Sequence, residues 1–464
     1  MKKNVKGSSS EEERKGNSPD KRFFSGFSKL LARVREEGLL STIVREAGGV
    51  FVVKVLGAGA AFVAQIFLAR WMGVRGFGIF TFVWTWVTIL VLFGRIGADK
   101  ALIRYIPEYV EKKEWKKLRG ILQFTAGIAI GCCVILSVVG GAVAWWMKGA
   151  MPDGQFTALS LAFLTVPIYA LVQTGKGGLQ SFKRATEAYI PDLLLRHVAT
   201  VGIGGLFFLA APGKITALNG MGAAFLAILI CLILTGWWLS QSIPNEVWAV
   251  EAEWDKETWV ASMVPMMFIA GMHLLLKRTD LVMLGLFAGP EATGTYGAAA
   301  KISELSYFGL QAANSIMAPI IAELYHSGRH SELQRIVTWT ARGSFGIYLL
   351  IAAVLMGGGT YVLALFGEAF TEGYGVLLIL LAGQFANTLA GSVGFLMMMT
   401  GHETDSAKIL VPIVLLNIAL NYLLIPIFGI EGAGLATAVT TLAWNVCLVW
   451  YVWRKIGIKP TVFS

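Results

Sequence analysis

The strongest constraint on this chain is that it repeats itself. Residues 68–82 (LARWMGVRGFGIFTF) recur in weaker form at 284–298 (LGLFAGPEATGTYGA), 216 positions later. At that offset Gly73 falls on Gly289, Gly78 on Gly294, Phe80 on Tyr296, Tyr109 on Tyr325 and Arg119 on Arg335. A second echo, at an offset of 212, sets NGMGAAFLA (219–227) against EGAGLATAV (431–439), matching Gly220 with Gly432 and Gly222 with Gly434. Both echoes lie in apolar sequence, so the chain reads as two related membrane-embedded halves. Duplicated halves around a central site are a recurrent plan of transporters.

Composition agrees with the membrane reading. Apolar residues make up 56% of the 464 and charged residues only 15%, against about 25% charged in a soluble domain. The 53 glycines suit helices that pack backbone to backbone in lipid. Cys132, Cys133, Cys231 and Cys447 all fall in apolar runs, with neither a disulfide framework nor metal-ligand spacing. The first 47 residues are polar and no cleavable signal peptide is expected. Residues 1–22 read as disordered. The apolar and basic residues of 23–46 suit either a helix lying on the membrane surface or a loose tail.

Twelve runs are long enough to cross a hydrocarbon core of about 30 Å: 48–69, 77–98, 120–147, 156–173, 190–211, 217–239, 259–288, 295–322, 343–366, 374–400, 409–428 and 432–453. Trp71, Trp145, Trp146, Trp237, Trp238, Trp450 and Trp453 stand near run ends, where an interfacial belt belongs. With the N-terminus inside, the inner segments hold 30 Lys and Arg, and the outer loops hold only Arg70, Arg75, Lys148 and Lys214. That bias predicts both termini in the cytoplasm. The expected domains are a cytoplasmic tail (1–47), an N-terminal six-helix bundle (48–239), an acidic cytoplasmic linker (240–258), a C-terminal six-helix bundle (259–453) and a short cytoplasmic tail (454–464).

The remaining five of the 39 cations, Lys54, Arg196, Lys277, Arg278 and Lys301, fall inside the runs. A Lys or Arg at mid-span costs about 2.5–3.5 kcal/mol on insertion scales, so each needs a reason. One reason is a water-filled cavity that takes an anionic group. The others are snorkelling to the interface or neutralisation by a neighbour on the same helix face. Lys277 stands three residues before Asp280 and four after His273, Lys301 three before Glu304, and Arg196 four after Asp192, early enough in its span to snorkel. Arg278 and Lys54 have no carboxylate at such spacing inside their runs, and Lys54, Ala58, Ala61 and Gln65 form one stripe of small and polar residues, as a wet wall would.

Gln311, Asn314, Gln384, Asn387, Asn417, Asn421 and Asn445 are open to two readings, sugar contacts or ordinary bonds between helices. Pro167, Pro265, Pro319, Pro412 and Pro426 allow bends in or near the ends of spans. There is no Walker A loop, no His/Cys metal spacing, no G-x-S-x-G elbow and no outer loop long enough to carry a catalytic site, so no enzyme and no cofactor are expected.

Three stretches carry a family likeness. LARWMGVRGFGIFTFVWTWVTILVLFGRIGADKALIRYIPEY (68–109), RTDLVMLGLFAGPEATGTYGAAAKI (278–302) and LLNIALNYLLIPIFGIEGAGLATAV (415–439) resemble the Wzx-type polysaccharide-biosynthesis flippases, within the multidrug/oligosaccharidyl-lipid/polysaccharide exporter superfamily. The resemblance implies an all-α integral membrane protein whose 12 transmembrane helices form two pseudo-symmetric six-helix bundles in a V, the MATE-like fold. It implies alternating access that carries a polyprenyl-diphosphate-linked oligosaccharide to the outer leaflet of the plasma membrane. Glycan polymerases or glycosyltransferases would be its partners. Lys54, Arg196, Lys277, Arg278, Lys301 and Gln65 would then bind diphosphate or glycan. Asp280 and Glu304 would be candidate coupling carboxylates for an unassigned H+ or Na+. The rival within the fold is a cation-coupled multidrug exporter. That chemistry needs a carboxylate deep in the N-terminal half, where only Asp99 and Asp192 stand, both near span ends. Twelve spans rather than fourteen argue against the peptidoglycan-precursor branch.

Overall fold

Glycines set where the helices turn. In this computed structural model, which describes residues 38–211 and 215–464, the first helix (α1, Gly38–Gly94) is broken at Gly73, with φ 68° and ψ 176°. Its repeat equivalent Gly289 has φ 86° and opens α9 (Gly289–Ser306) directly after α8 (Lys256–Phe287). A third such break, Gly429 at φ 60°, divides α14 (Glu403–Tyr451). Side chains other than glycine rarely adopt a positive φ, so the first echo in the sequence is two copies of one hairpin turn.

Between these lie α2 (Ala98–Glu111), α3 (Trp115–Trp146), α4 (Gln155–Ser181), α5 (Ala185–Tyr189), a π-helical segment (Ile190–Leu195), α6 (Arg196–Ala210) and α7 (Ala217–Ser242). After α9 come α10 (Phe308–His326), α11 (His330–Ala364), α12 (Tyr374–Ala390) and α13 (Val393–Met399). No strand occurs among the described residues. Nine helical stretches there are long and apolar enough to cross a membrane. Two of them carry the breaks at Gly73 and Gly429 and so cross twice, and the α9–α10 pair supplies one further crossing, matching twelve runs.

By contacts the chain divides into a short unit, residues 1–52, and a large one, residues 53–464, which holds every helix from the body of α1 onward. The reading of 23–46 as a surface helix falls mostly outside the described residues; the backbone from Gly38 onward is helical. Large apolar side chains stand open along the outside of the large unit, among them Ile135 at 63%, Leu209 at 75%, Ile233 at 74% and Ile427 at 70%. Exposed apolar surface on helices long and apolar enough to cross a bilayer is a lipid-facing surface, and the protein is a multi-pass membrane protein. Trp145, Trp146, Trp237, Trp450 and Trp453 are exposed, as a belt requires. Trp71 is not: it stacks on Phe208 at 5.7 Å and covers Gly204.

The halves meet along one seam. The second segment of α1 runs antiparallel to α8, with Phe93 over Gly271 and Phe82 over Gly285. At its far end the repeat partners Gly78 and Gly294 face each other: a Cβ on Gly78 would strike the Pro290 carbonyl, and one on Gly294 the Val74 carbonyl. The end carrying the Gly73 and Gly289 turns is shut further by Arg70, whose Nε donates to Leu365 O at 2.6 Å, and by edge contacts of Phe62 with Phe366 and Phe77 with Phe370, both at 5.7 Å.

At the opposite end the linker is strapped down. Glu253 N donates to Lys116 O at 3.0 Å, the Arg119 guanidinium donates to Trp248 O at 3.1 Å, and the fully buried Trp259 donates through Nε1 to the Tyr109 hydroxyl at 2.9 Å. The C-terminal residues are likewise tied to α11, through Gln334 to Lys459 and through Arg342 to Val462 and Ser464.

Candidate functional site

Two charge clusters face the interior, one in each half. The N-terminal cluster is centred on Asp192, in the π-helical segment between α5 and α6. Such segments add a residue to a turn and re-aim side chains, often at functional positions. Asp192 is 6% exposed and its carboxylate is fully engaged. It accepts from the Tyr169 hydroxyl at 2.8 Å and Lys176 Nζ at 3.0 Å, and pairs with Arg196 Nε at 3.4 Å. The Arg196 guanidinium lies 5.0 Å from the Trp84 ring and 5.8 Å from that of Tyr169, and its Nη2 meets His197 Nε2 at 3.1 Å. Arg196 therefore does not snorkel, although its early position allows it. It is held inside by a carboxylate and two aromatic faces.

Lys176 escapes the sequence reading. Counting 174–189 as a loop puts it outside the membrane, whereas α4 continues to Ser181 and leaves the Lys176 side chain 19% exposed. The available signal is the seven-residue spacing from Tyr169, which puts both on one face of a helix. Tyr189 is flanked by two ammonium groups, Lys176 at 4.9 Å and Lys54 at 5.3 Å from its ring. Lys54 is exposed and stands 19 residues before the Gly73 turn, about 28 Å along the helix at about 1.5 Å per residue, so it lies near the mouth. Gln65, on the same stripe, is half-buried.

The C-terminal cluster is centred on Glu304, which is held by two lysines: Lys301 Nζ at 2.8 Å and Lys277 Nζ at 3.1 Å. Lys277 and Lys301 stand twelve residues before and after Gly289. A hairpin brings equidistant residues to one depth, here about 18 Å from the turn, close to the middle of an apolar layer of about 30 Å.

The spacing suggests Lys277 with Asp280, and that pairing does not occur. Asp280 points away from the lysines, accepting from the Tyr296 hydroxyl at 2.5 Å and from its own chain at Leu281 N at 2.7 Å. The three-residue spacing on α8 is outcompeted by a contact across the hairpin, where Glu304 reaches both ammonium groups. Arg278 Nε is buried and makes no hydrogen bond among the described residues. His197, beside Arg196 in the N-terminal cluster, feels the charge of Lys301, so the two clusters are near enough to interact electrostatically.

The intramembrane amides divide into two sets. Asn417 donates to Thr440 at 3.1 Å, joining the two segments of α14 across the Gly429 break, and Asn421 donates to Asn417 Oδ1 at 3.2 Å one turn along the same segment, all three residues buried. Asn314, Asn387 and Asn445 instead line a cavity of about 170 Å³ at the break between α12 and α13. No group of three metal-ligating side chains occurs among the described residues.

Residues 43–325 match the model of the family described as "Polysaccharide biosynthesis protein". The probable low-salt glycan biosynthesis flippase of Haloferax volcanii is 23% identical over 425 residues, covering 90% of this chain and 85% of the relative. In fold the chain is similar to an inward-facing multidrug resistance MATE family transporter, with a TM-score of 0.65 at 13% identity over 90% of this chain and 94% of the other. It is similar also to the lipid II flippase MurJ in an inward closed conformation, with a TM-score of 0.62 at 11% identity over 88% and 87%. The likenesses to solved structures establish the fold.

Proposed function

This chain belongs to the polysaccharide biosynthesis protein family, and from that premise we propose that it is a flippase for a lipid-linked glycan. Its substrate is a polyprenyl-diphosphate-linked oligosaccharide, moved to the outer leaflet of the cytoplasmic membrane by alternating access. The observation that carries this reading is the excess of positive charge at the adjoining clusters. Lys176 and Arg196 share one carboxylate, Lys277 and Lys301 share another, and Arg278 brings a further cation.

A diphosphate diester carries about two negative charges, and an unpaired charge in an apolar medium is prohibitively costly. Charge-assisted hydrogen bonds from ammonium and guanidinium groups offset that cost. Each carboxylate holds its cations in place while the site is empty and leaves them donors to spare, since an ammonium has three and a guanidinium five. Phosphate oxygens then add to, or displace, the carboxylate. Lys54 at the mouth draws the anion inward, and Arg196 and Lys301 receive it at mid-depth. The lipid tail stays in the bilayer beside the cleft.

Glu304, between two lysines, is the better candidate for a coupling carboxylate. Asp280 is engaged by the Tyr296 hydroxyl and pairs with neither lysine. In this reading the two six-helix halves rock about the α1–α8 seam, with the turn end facing outward and both termini and the linker on the cytoplasmic side. Glycosyltransferases supply the substrate and a polymerase or ligase consumes it.

The multidrug reading shares the fold, yet a cationic drug needs a free carboxylate, and Asp192 is saturated by Lys176, Arg196 and Tyr169. Binding measurements on purified protein test the proposal. Polyprenyl diphosphate should bind with an affinity that falls as salt rises, and a lipophilic cation should not bind. Binding of the cation but not of the lipid diphosphate would overturn it.

A further inference from the structure

The tenth span is broken inside the C-terminal half. α12 ends at Ala390, Gly391 takes φ 68°, and α13 restarts at Val393. A Cβ at position 391 would press on the Pro460 carbonyl and on Ala341, so the strapped C-terminal residues wedge against the break. Beside it lies the cavity of about 170 Å³, far larger than the roughly 10–15 Å³ that one water requires. None of its lining side chains is charged: amides of Asn314, Asn387 and Asn445 stand among the aromatic rings of Tyr307 and Trp444.

Two polar atoms of this lining are unsatisfied. Asn314 and Ser392 are 8% and 2% exposed, and Asn314 Oδ1 and Ser392 Oγ make no hydrogen bond among the described residues. An unsatisfied buried polar atom costs about 1–3 kcal/mol; both atoms lie just behind the cavity surface, and a small turn of either side chain toward the cavity lets a ligand hydroxyl satisfy it. An anion would find no cation here, and a cationic drug no carboxylate. Uncharged hydroxyls suit the amides, and the apolar face of a sugar ring suits the aromatic rings.

The cavity also adjoins the C-terminal charge cluster. Tyr307 belongs to the lining and lies against the Lys277 ammonium. Trp444 stands edge-on to His273 at 5.9 Å, one helical turn before Lys277.

We infer that this cavity is the docking subsite for the sugar nearest the diphosphate, a neutral pocket beside the cations that hold the charged linkage; the inference rests on the flippase reading above. The break in the tenth span makes the room, and the chain discriminates glycosylated from bare lipid there.

The test uses full-length protein in nanodiscs and two kinds of probe: polyprenyl diphosphate without sugar, and the same lipid carrying one hexose or one N-acetylhexosamine. Asn314→Ala and Trp444→Leu should weaken binding of a sugar-bearing lipid about tenfold, the equivalent of about 1.4 kcal/mol. Binding of the sugar-free lipid should not change, which also reports that the variants are folded. Ser392→Ala, which removes one hydroxyl and little volume, should act in the same direction by a few-fold. Equal weakening of both kinds of probe, or no change in either, overturns the subsite while leaving the flippase reading standing. A wild-type protein that binds neither kind of lipid overturns the flippase reading and the subsite with it.

Discussion

The two halves are alike where they pack and unlike where they carry charge. Gly73 and Gly289 make the same turn, and Gly78 and Gly294 meet face to face at the seam. The same offset sets Lys301 against Thr85, Glu304 against Thr88, Lys277 against Ala61 and Lys54 against Ala270. Duplication has kept the geometry that lets two backbones approach and has discarded any symmetry of the site. A substrate with a charged linkage, a sugar and a lipid tail has no twofold symmetry, and an interior with cation clusters in both halves and an uncharged amide cavity in the C-terminal half fits such a molecule.

That contrast can be broken most sharply at the carboxylates. Asp192→Ala would leave Lys176 and Arg196 unneutralised, and Glu304→Ala would do the same to Lys277 and Lys301. Losing one partner of a buried ion pair costs about 3–5 kcal/mol, so Asp192→Ala should show a large fall in thermal stability in detergent and in abundance in the membrane; the Glu304 cluster is more open, with the Lys277 side chain 53% exposed, and Glu304→Ala should cost less. Replacing Glu304 by Gln together with Lys277 by Met and Lys301 by Met should restore abundance while abolishing transport. Restored transport would make the C-terminal cluster merely structural.

At the seam, Gly78→Ala and Gly294→Ala should each destabilise by about 1–3 kcal/mol, because the added methyl meets backbone carbonyls rather than a movable side chain. The symmetry of the packing predicts similar losses, measured as shifts in melting temperature. A large loss at one glycine with none at the other would show that the halves do not share this contact evenly.

Lys54→Ala should be the mildest in stability. It removes one exposed cation–π contact with Tyr189, worth about 0.5–1 kcal/mol. Its effect should appear instead as a loss of transport rate that grows as salt is lowered, since steering by an exposed charge is screened over about 10 Å at 0.1 M salt. A rate unchanged at every ionic strength would remove Lys54 from the entry path.

Legibility in the sequence divides along the same line. Turn glycines, apolar runs and the excess of basic residues on one side depend on local chemistry, and all can be read along the chain. The depth of Lys277 and Lys301 is legible too, since equal distances from Gly289 fix it. Their partner is not, because spacing along α8 nominates Asp280 and says nothing of Glu304 across the hairpin. Lys176 is hidden by a helix that outruns its apolar stretch. Asp192 looks peripheral because a π-helical turn, invisible in periodicity, re-aims it inward. The amide cavity is undetectable as a unit: Asn314, Asn387 and Asn445 come from three separate spans and look no different from Asn417, which bonds Thr440.

The central claim is that the adjoining clusters carry one lipid-linked anion across the membrane. Purified protein in liposomes, given a fluorescent polyprenyl-diphosphate-linked glycan, tests it through the rate at which the inner-leaflet pool becomes accessible to a membrane-impermeant quencher. The account predicts rapid exchange for the wild type, and falls of about a hundredfold for Arg196→Gln and for Lys301→Gln, about 2.7 kcal/mol of barrier each. The double variant should be scarcely slower than either single one, because both residues hold the same diphosphate. Exchange in wild-type liposomes no faster than in protein-free ones, with uptake of a lipophilic cation in its place, would contradict it.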